Sequence, residues 1–556
     1  LFSHPNTKPL LLKKFEPWFP MLWTDGSIGA ISTAGFGAKD LEQFYEKNNT
    51  DISTKVTTSY AEKDITGSNG FAFGPKITAS GNAVLYINPH VTFYFRPEVH
   101  VISNEGLNAY GAVTWGQFFV YQGFNEHCGW MHTSSYTDVS DAYIEDISTK
   151  NNKFYYKYDG KEIAVKEKDI TLYYRKGDTH EKKSFKTFFT GHGPILGIRN
   201  EKWIAVKSDN RNIKGLIQSW QRTKAKSFGE YKKIMGLLAN ASNNTVYADA
   251  EGNIAYWHGN FIPKRDPKFD WNKPLDGTTS ATEWKGLHTV EESVHIYNPE
   301  NGWIENCNST PFTVSGPYSP KKADYPSYMA PDGQNFRGLN AIRILPEETH
   351  YTIDKVIAKG YDTYLTAFEF LIPPLIKAYQ QNSNEQIINT LKEPIQELKN
   401  WDYRAGQHSV ATTLAIYWGE KILPIIYRTK VEEGEDDDIV NKTKEFLAIA
   451  SPDLLLSALL NTTRELDNRF GSWKTEWGTI NRFQRISGNI ENYFNDDSSS
   501  IPVPFVSSTW GMLPSYSSKT FPGTVKRYGI NGNSFVCAVE FGKRIIAKSL
   551  LAGGES

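Results

Sequence analysis

Between residues 69 and about 196 the apolar positions come in short runs separated by turn residues, with local alternation of large and small side chains. That is the signature of half-buried and buried strands. Phe71 and Phe73 alternate with small neighbours, and 83–87, 91–95 and 112–121 follow as further apolar segments. Tyr158-Asp159-Gly160-Lys161 predicts a hairpin turn between Tyr-rich arms, and 203–207 another short strand. Ser227 and Glu230 have the capping-box spacing ahead of a helical stretch over 231–240. Residues 246–257 read as strand, turn and strand, with Asp249 to Asn253 in the turn.

From Gly338 the period lengthens and predicts helices over 338–345, 352–380, 385–399, 407–426 and 440–461. The acidic run 432–438 reads as a solvated loop between helices, and the last 80 or so residues return to short strands and Gly/Ser/Pro turns. Strands, then helices, then strands again predict an α+β chain with layered sheets rather than alternating βαβ units. Internal repeats, a Gly-rich phosphate loop and coiled-coil heptads are all missing from the pattern.

The beginning of the chain has a different texture. Phe15, Trp18, Phe19 and Trp23 cluster early, 40–47 predicts a short helix, and 48–67 is polar and nearly devoid of core residues, as a linker would be. The first residue is Leu1 and no signal peptide is visible, so an export signal is expected to be missing from this sequence.

Composition narrows the function classes. With 61 Lys and Arg against 62 Asp and Glu, the formal charge of −1 offers no electrostatic footprint for nucleic acid or anionic lipid. No apolar run reaches the roughly 18 residues of a membrane span. Three cysteines, Cys128, Cys307 and Cys537, are too few and too scattered for a disulfide framework or a zinc site. The 15 Trp, 30 Tyr and 31 Phe can fill a large core and also suit a site that grips rings or acyl chains.

Taken singly, the candidate chemical groups say little. Gly67-Ser68-Asn69 is a turn tripeptide, His90 follows Pro89 at a strand end, Asn306 and Asn308 read as loop residues, and Asp138 and Asp141 as surface acids. Joined, they match an ordered set. SNGFAFGPKITASGNAVLYINPH from Ser68 and GAVTWGQFFVYQGFNEHCGWMHTSSYTDVSDAYIED after it resemble the start of the β-subunit in the penicillin acylase family. That family includes penicillin acylases, cephalosporin acylases and acyl-homoserine lactone acylases. HGPIL, NTVYADAEGNIAYWHG, NGWIENCNSTP and FRGLNAIRIL follow in the family's order, over more than half of the chain.

The resemblance implies a four-layer αββα sandwich of the N-terminal-nucleophile hydrolases, with a mainly helical insertion in the second half. It implies the end of an α-subunit in 1–47, a spacer peptide in 48–67 and a β-subunit from 68 to 556. Because the family's α-subunit is longer and its chains continue past a similar GGES turn, a piece shortened at both ends is expected. The implied activity is that of an amidohydrolase matured by self-cleavage between Gly67 and Ser68, giving an α/β heterodimer in the periplasm or outside the cell. Its substrate would be a small N-acyl amide, an acyl-homoserine lactone or a β-lactam side chain, with no catalytic cofactor, nucleic acid or membrane involved.

The chemistry suits that reading. A serine hydroxyl needs an adjacent base, no GxSxG elbow is present, and an N-terminal amine of pKa about 7.7–8.0 is a better base near neutrality than a lysine at about 10.4. By resemblance, Ser68 is the nucleophile, the Ser134 backbone N–H and the Asn308 amide form the oxyanion hole, and Arg337 braces the site. His90 sits where homoserine lactone and cephalosporin acylases carry a histidine beside the nucleophile, so it is expected among the catalytic residues, and Asn244 matches a further site asparagine. Val91, Tyr121, Gln122, His132 and Trp220 align with acyl-pocket positions, which His132 and Gln122 would make polar rather than a snug apolar slot. Asp138 and Asp141 match a stretch that supplies ligands to a structural calcium ion in some members, and hard oxygen donors suit that ion. The alternatives from other classes are a catalytically silent, aromatic-rich binding protein and a calcium-dependent surface module.

Overall fold

Ser68 enters the fold near the start of a fully buried strand, Gly67–Phe73, whose alternate side chains face different layers. In this computed structural model the described residues are 16, 19, 36–46, 67–94, 96–208, 213–240, 243–432, 436–487 and 493–554. The strand lies between Trp303–Asn306 and Ala83–Thr92, antiparallel to both, within a nine-stranded sheet that also takes in the C-terminal strands Arg527–Asn533, Phe535–Phe541 and Ile545–Leu551. A seven-stranded sheet packs against it, built around Cys128–Ser134 paired with Asn243–Asp249.

Three apolar clusters account for the layering. Ala72, Leu85 and Ile87 from the first sheet meet Met131, Val246 and Tyr256 from the second, so the two sheets bury their facing sides together. On its other side the nine-stranded sheet presents Phe71, Phe73, Val84 and Tyr86 to the helices Phe336–Ile344 and Ile353–Gly360. The seven-stranded sheet turns Trp130, Tyr247 and Trp257 outward against Tyr231, Ile234 and Met235 of the helix Phe228–Met235. Helix, sheet, sheet and helix give the expected αββα order in an α+β chain.

A helical unit follows, with Thr366–Gln380, Glu385–Lys399, Val410–Arg428, Ile439–Ile449 and Pro452–Phe470 sharing one core around Leu375, Leu414, Trp418 and Leu459. No single helix among the described residues is long and apolar enough to cross a membrane.

Several sequence expectations shift. The run 83–95 divides at Pro89 by pattern, yet Ala83–Thr92 is one strand: Pro89 has no N–H to give, and its carbonyl accepts from Ser534 N (3.1 Å) and Ser534 Oγ (2.9 Å). Phe95 lies outside the described residues. Residues 113–121 form a connecting loop, because Gln117 N closes a turn on Thr114 O and Gly116 takes φ +85°. The helix expected over 352–380 breaks into Ile353–Gly360 and Thr366–Gln380, and that over 440–461 ends at Ile449 before restarting behind the Ser451 cap at Pro452. Ser227 caps as expected, accepting from Glu230 N, but Glu230 Oε2 reaches Lys226 N instead of Ser227 N, and the helix opens three residues earlier than expected, Phe228–Met235, and stops at Gly236.

Of the segment 1–47, the helix Ala38–Glu46 packs Phe44 edge-on against Trp203 and Phe188. Phe15, Trp18, Trp23 and the spacer over 48–66 lie outside the described residues.

Candidate active site

The strand Trp303–Asn306 ends where the Ser68 strand begins, with Asn306 opposite Gly70 in register. Two residues beyond it Asn308 adopts φ +58°, a left-handed conformation that asparagine tolerates better than most residues. This turn carries the Asn308 side chain over the start of the Ser68 strand. Its Oδ1 accepts from Ser68 N at 2.7 Å and its Nδ2 donates to Ser134 O at 3.0 Å. One amide therefore joins both sheets.

The helix Phe336–Ile344 holds that turn in place. Asn335 caps it, its Oδ1 accepting from Arg337 N and Gly338 N, while its Nδ2 donates to the carbonyls of Cys307 and Asn308 (both 3.1 Å). Arg337, in the first turn, donates from Nη1 to Ser68 O (2.9 Å) and Asn69 Oδ1 (2.8 Å), and from Nη2 to Asn308 Oδ1 (3.0 Å). Burial works against its charge, and these three acceptors answer it.

Asn306 is a second hub. Its Oδ1 accepts from Thr133 Oγ1, Asn308 N (3.1 Å) and Asn244 Nδ2 (3.4 Å), and its Nδ2 donates to Ser309 O (3.2 Å). Asn244 also donates to Thr133 Oγ1 (3.1 Å) and Ser134 O (3.4 Å) and accepts from Gly259 N (3.3 Å). Ser68, Asn308, Arg337, Asn244 and the Ser134 backbone are thus brought together. Asn306, first read as a loop residue, completes the constellation together with Asn335, Asn69 and Thr133, which the sequence reading does not single out. Asn335 carried a readable signal, an N-cap residue immediately before FRGLN.

Ser68 is almost wholly buried, and its Oγ donates to Gly67 O at 2.6 Å, so the hydroxyl lies against the carbonyl of the preceding peptide. A Cβ on Gly67 would stand 2.8 Å from Arg337 Nη2 and 3.2 Å from Asn308 Oδ1, which explains the glycine.

His90 stands elsewhere than expected. It is the register partner of Gly67, while Ser68 pairs with Pro89, and the register runs unbroken to Phe73. Alternation then puts the His90 ring on the face of Asn69 and Phe71, toward the helices, and the Ser68 side chain on the opposite face. Burial, with Arg337 nearby, holds the imidazole well below its usual range, so it is neutral, and neither ring nitrogen has a hydrogen-bond partner. The ring is linked to the site through the backbone register and the nearby charge of Arg337, not through the Ser68 hydroxyl.

Beneath Asn308, Glu305 is fully buried, and its carboxyl is pushed up to about 8 by desolvation against hydrogen bonds from Cys307 and Ser309. Tyr121 and His132 form one buried pair of rings on the side of the seven-stranded sheet that faces Lys214–Arg222, while Gln122, opposite Ala112 of the inter-sheet core, lies on the other face and donates to His132 O at 3.2 Å. Trp220 packs beside the cluster of Phe119, Tyr121 and Leu216. Val91 lies apart from them, half-buried near the end of its strand and opposite Gly532.

The acid pair does not fit a calcium ion. Arg265 Nε meets Asp141 Oδ2 at 3.0 Å, its Nη2 meets Asp138 Oδ2 at 3.2 Å, and its Nη1 donates to Asp138 O at 2.8 Å. Trp284 Nε1 also donates to Asp141 Oδ2, at 2.5 Å. A buried guanidinium takes the place in which a divalent cation would have to sit. Among the described residues no group of three or more His, Cys, Asp or Glu is arranged to hold a metal.

The model of the family described as penicillin amidase matches residues 9–556. The chain is 28% identical over 328 residues to a penicillin G acylase of Escherichia coli, covering 56% of this chain and 36% of that protein. It is 23% identical over 541 residues to the acyl-homoserine lactone acylase PvdQ of Pseudomonas savastanoi pv. phaseolicola, covering 88% of this chain and 66% of that one. It thus spans between about a third and two thirds of the length of these relatives. A solved structure, the thermostable penicillin G acylase from Alcaligenes faecalis, shares the fold with a TM-score of 0.61 at 18% identity, covering 88% of this chain and 91% of that one. With the family model matching residues 9–556, almost end to end, this chain belongs to the penicillin amidase family.

Proposed function

We propose that this chain carries the catalytic core of an N-acyl amide hydrolase that matures by cleaving its own Gly67–Ser68 bond and then uses Ser68 as nucleophile. One observation carries the reading: Ser68 N is held by Asn308 Oδ1 while Ser68 Oγ lies against the Gly67 carbonyl. The first contact suits a catalytic amine, the second suits the cleavage that would create it.

In maturation, Ser68 Oγ attacks the Gly67 carbonyl carbon and the C–N bond breaks. The hydroxyl proton passes to the departing nitrogen, leaving an ester on Ser68. Water hydrolyses that ester, releasing a carboxylate at Gly67 and a free α-amine at Ser68. Arg337, bound to Ser68 O, and Asn308, bound to Ser68 N, keep the Ser68 side of the bond oriented.

In turnover the α-amine accepts the proton of Ser68 Oγ as that oxygen attacks the acyl carbonyl. One N–H of the Asn308 amide already meets Ser134 O, leaving the second for the developing oxyanion beside the Ser134 backbone N–H. The proton then moves to the leaving amine, and water releases the acid from the seryl ester. The acyl donor is an acyl-homoserine lactone or a β-lactam side chain, in keeping with relatives named for each class. The mature enzyme is an α/β heterodimer, periplasmic or secreted, and its own residues supply all of this chemistry. Incubating the full-length protein with a phenylmethylsulfonyl reagent tests the reading. Modification confined to Ser68, with loss of hydrolysis across a panel of N-acyl amides, is expected. An unmodified Ser68 in a protein that still hydrolyses them would overturn it.

A further inference from the structure

A buried chain of polar side chains runs behind the oxyanion side of the site, and the proposed reaction steps use none of it. Asp332, shortly before Arg337 in sequence, accepts from Tyr136 N at Oδ1 (2.8 Å), and its Oδ2 stands 3.2 Å from His258 Nε2. Neither of these two side chains has any exposed surface. His258 Nε2 also meets Thr137 Oγ1 at 3.1 Å, and its Nδ1 meets the Tyr256 hydroxyl at 3.1 Å. That hydroxyl in turn receives the Asn306 amide, from Nδ2 at 3.5 Å. Gly259, next to His258, donates its N–H to Asn244 Oδ1 at 3.3 Å. The chain thus begins beside the segment that follows Ser134 and ends on the residue whose Oδ1 accepts from Asn308 N.

The directions of these hydrogen bonds follow from the two ends. Asn306 Oδ1 takes the Asn308 backbone N–H and Nδ2 faces the Ser309 carbonyl, so this amide cannot be turned over. Nδ2 therefore donates to the Tyr256 hydroxyl, whose own proton is left for His258 Nδ1. An Nδ1 that accepts leaves the imidazole proton on Nε2, facing Asp332 Oδ2 and Thr137 Oγ1. The other tautomer would set two protons against each other at the Tyr256 contact and turn a bare Nε2 lone pair toward the Asp332 carboxyl. One tautomer fits, and it runs the whole chain in one direction from Asn306 to Asp332.

Ser134 is the last residue of its strand, so the backbone after it leaves the ladder. Asp332 supplies a partner there by taking Tyr136 N, and His258 sets the direction in which the Asp332 carboxyl faces. We infer that His258 and Asp332 are positioning residues for the oxyanion side of the site, holding the Ser134–Thr137 segment directly and the Asn306 amide through Tyr256. The inference rests on the reading of Ser68 as an acyl-accepting nucleophile, with Ser134 N–H and the Asn308 amide as its oxyanion donors. Both residues act through those donors and not on the acyl group. Oxyanion donors work only when aimed at the developing charge, so a loss of aim lowers kcat more than it raises KM.

Asp332→Asn provides the test, because it keeps the acceptor for Tyr136 N but turns an amide N–H toward His258 Nε2. The ring must then change tautomer, which sets it against the Tyr256 hydroxyl. In the full-length protein, kcat per Ser68 titrated with a phenylmethylsulfonyl reagent should fall about tenfold or more, with KM within about threefold. Tyr256→Phe removes the group that the wrong tautomer would oppose, so adding Asp332→Asn to it should cost less than about twofold more. A kcat for Asp332→Asn within about twofold of the unaltered protein, or losses that multiply in the double variant, overturns the inference. Nitrogen-15 NMR of histidine-labelled protein reads the tautomer without turnover, the His258 signal being assigned by its loss in His258→Gln. A proton on Nε2 that moves to Nδ1 in Asp332→Asn is expected. A proton on Nδ1 in the unaltered protein overturns the inference whatever Ser68 does. If the tautomer moves as described while Ser68 proves inert, the buried network stands and the nucleophile reading alone fails.

Discussion

Asn308 Oδ1 lies 2.7 Å from Ser68 N, across 240 residues of chain, and the same amide reaches Ser134 O on the other sheet. It ties the nitrogen of the proposed nucleophile, the Arg337 guanidinium and the Ser134 backbone into one unit. Replacing Asn308 by alanine should lower kcat by about 10²–10³. Chromatographic assay of an N-acyl amide, beside a circular dichroism spectrum unchanged from the unaltered protein, measures this. A loss under threefold would remove Asn308 from the oxyanion hole.

Gly67 has no room for a side chain, since a Cβ would meet Arg337 Nη2 at 2.8 Å. Gly67→Val should displace the Arg337 fork and leave the protein as one uncut chain. Denaturing electrophoresis reads the outcome directly. Normal processing in Gly67→Val would mean that the fork is not needed at the bond.

Glu305 has a folded-state value of about 8 against an ordinary 4.5, so its contribution to stability is complete below about 4.5 and is lost as pH rises through 8. The depressed imidazole of His90 acts in the opposite sense. Its stability cost appears only as pH falls below the usual 6.5, where the unfolded chain takes a proton that the buried ring refuses. Between pH 6.5 and 8 Glu305 therefore dominates. Glu305→Gln should gain thermal midpoint relative to the unaltered protein across that window, read by scanning fluorimetry at half-unit steps. A constant difference from pH 5.5 to 8.5 would assign the carboxyl an ordinary ionisation.

Arg265 answers Asp138 and Asp141, and burial pushes both carboxyls up, Asp138 to about 6. Arg265→Met should cost about 3–5 kcal/mol, because it strands charge that the guanidinium now answers. Denaturant unfolding measures that loss, and addition of a calcium chelator to the unaltered protein should leave its midpoint where it was. A chelator-induced drop would mean that the acid pair holds an ion after all.

How much of this was readable beforehand differs from residue to residue. Ser68, Asn308 and Arg337 could be named because ordered short motifs surround each of them, although no local pattern marks any as chemical. The α+β class followed from the change of hydrophobic period near Gly338, whereas the αββα order rested on the family resemblance. The side on which His90 falls depends on strand register, Ser68 opposite Pro89, which is set by packing between distant segments. The role of Asp141 depends on Arg265, 124 residues away, and a lone arginine in a loop gives no sign of its partner. Asn335 was legible as a cap, but not as the residue that fastens the cap to Asn308. The strand through Pro89 failed by pattern for a related reason. A proline interrupts a run unless its carbonyl still finds a partner, here Ser534 from the far end of the chain.

The central claim is that Ser68 becomes an N-terminal nucleophile by scission of the bond before it. Mass spectrometry of the purified full-length protein tests it most directly. A polypeptide beginning at Ser68, which stays intact with its neighbour in Ser68→Ala, is the predicted result. A single unbroken chain that hydrolyses N-acyl amides equally well with alanine at position 68 would contradict it.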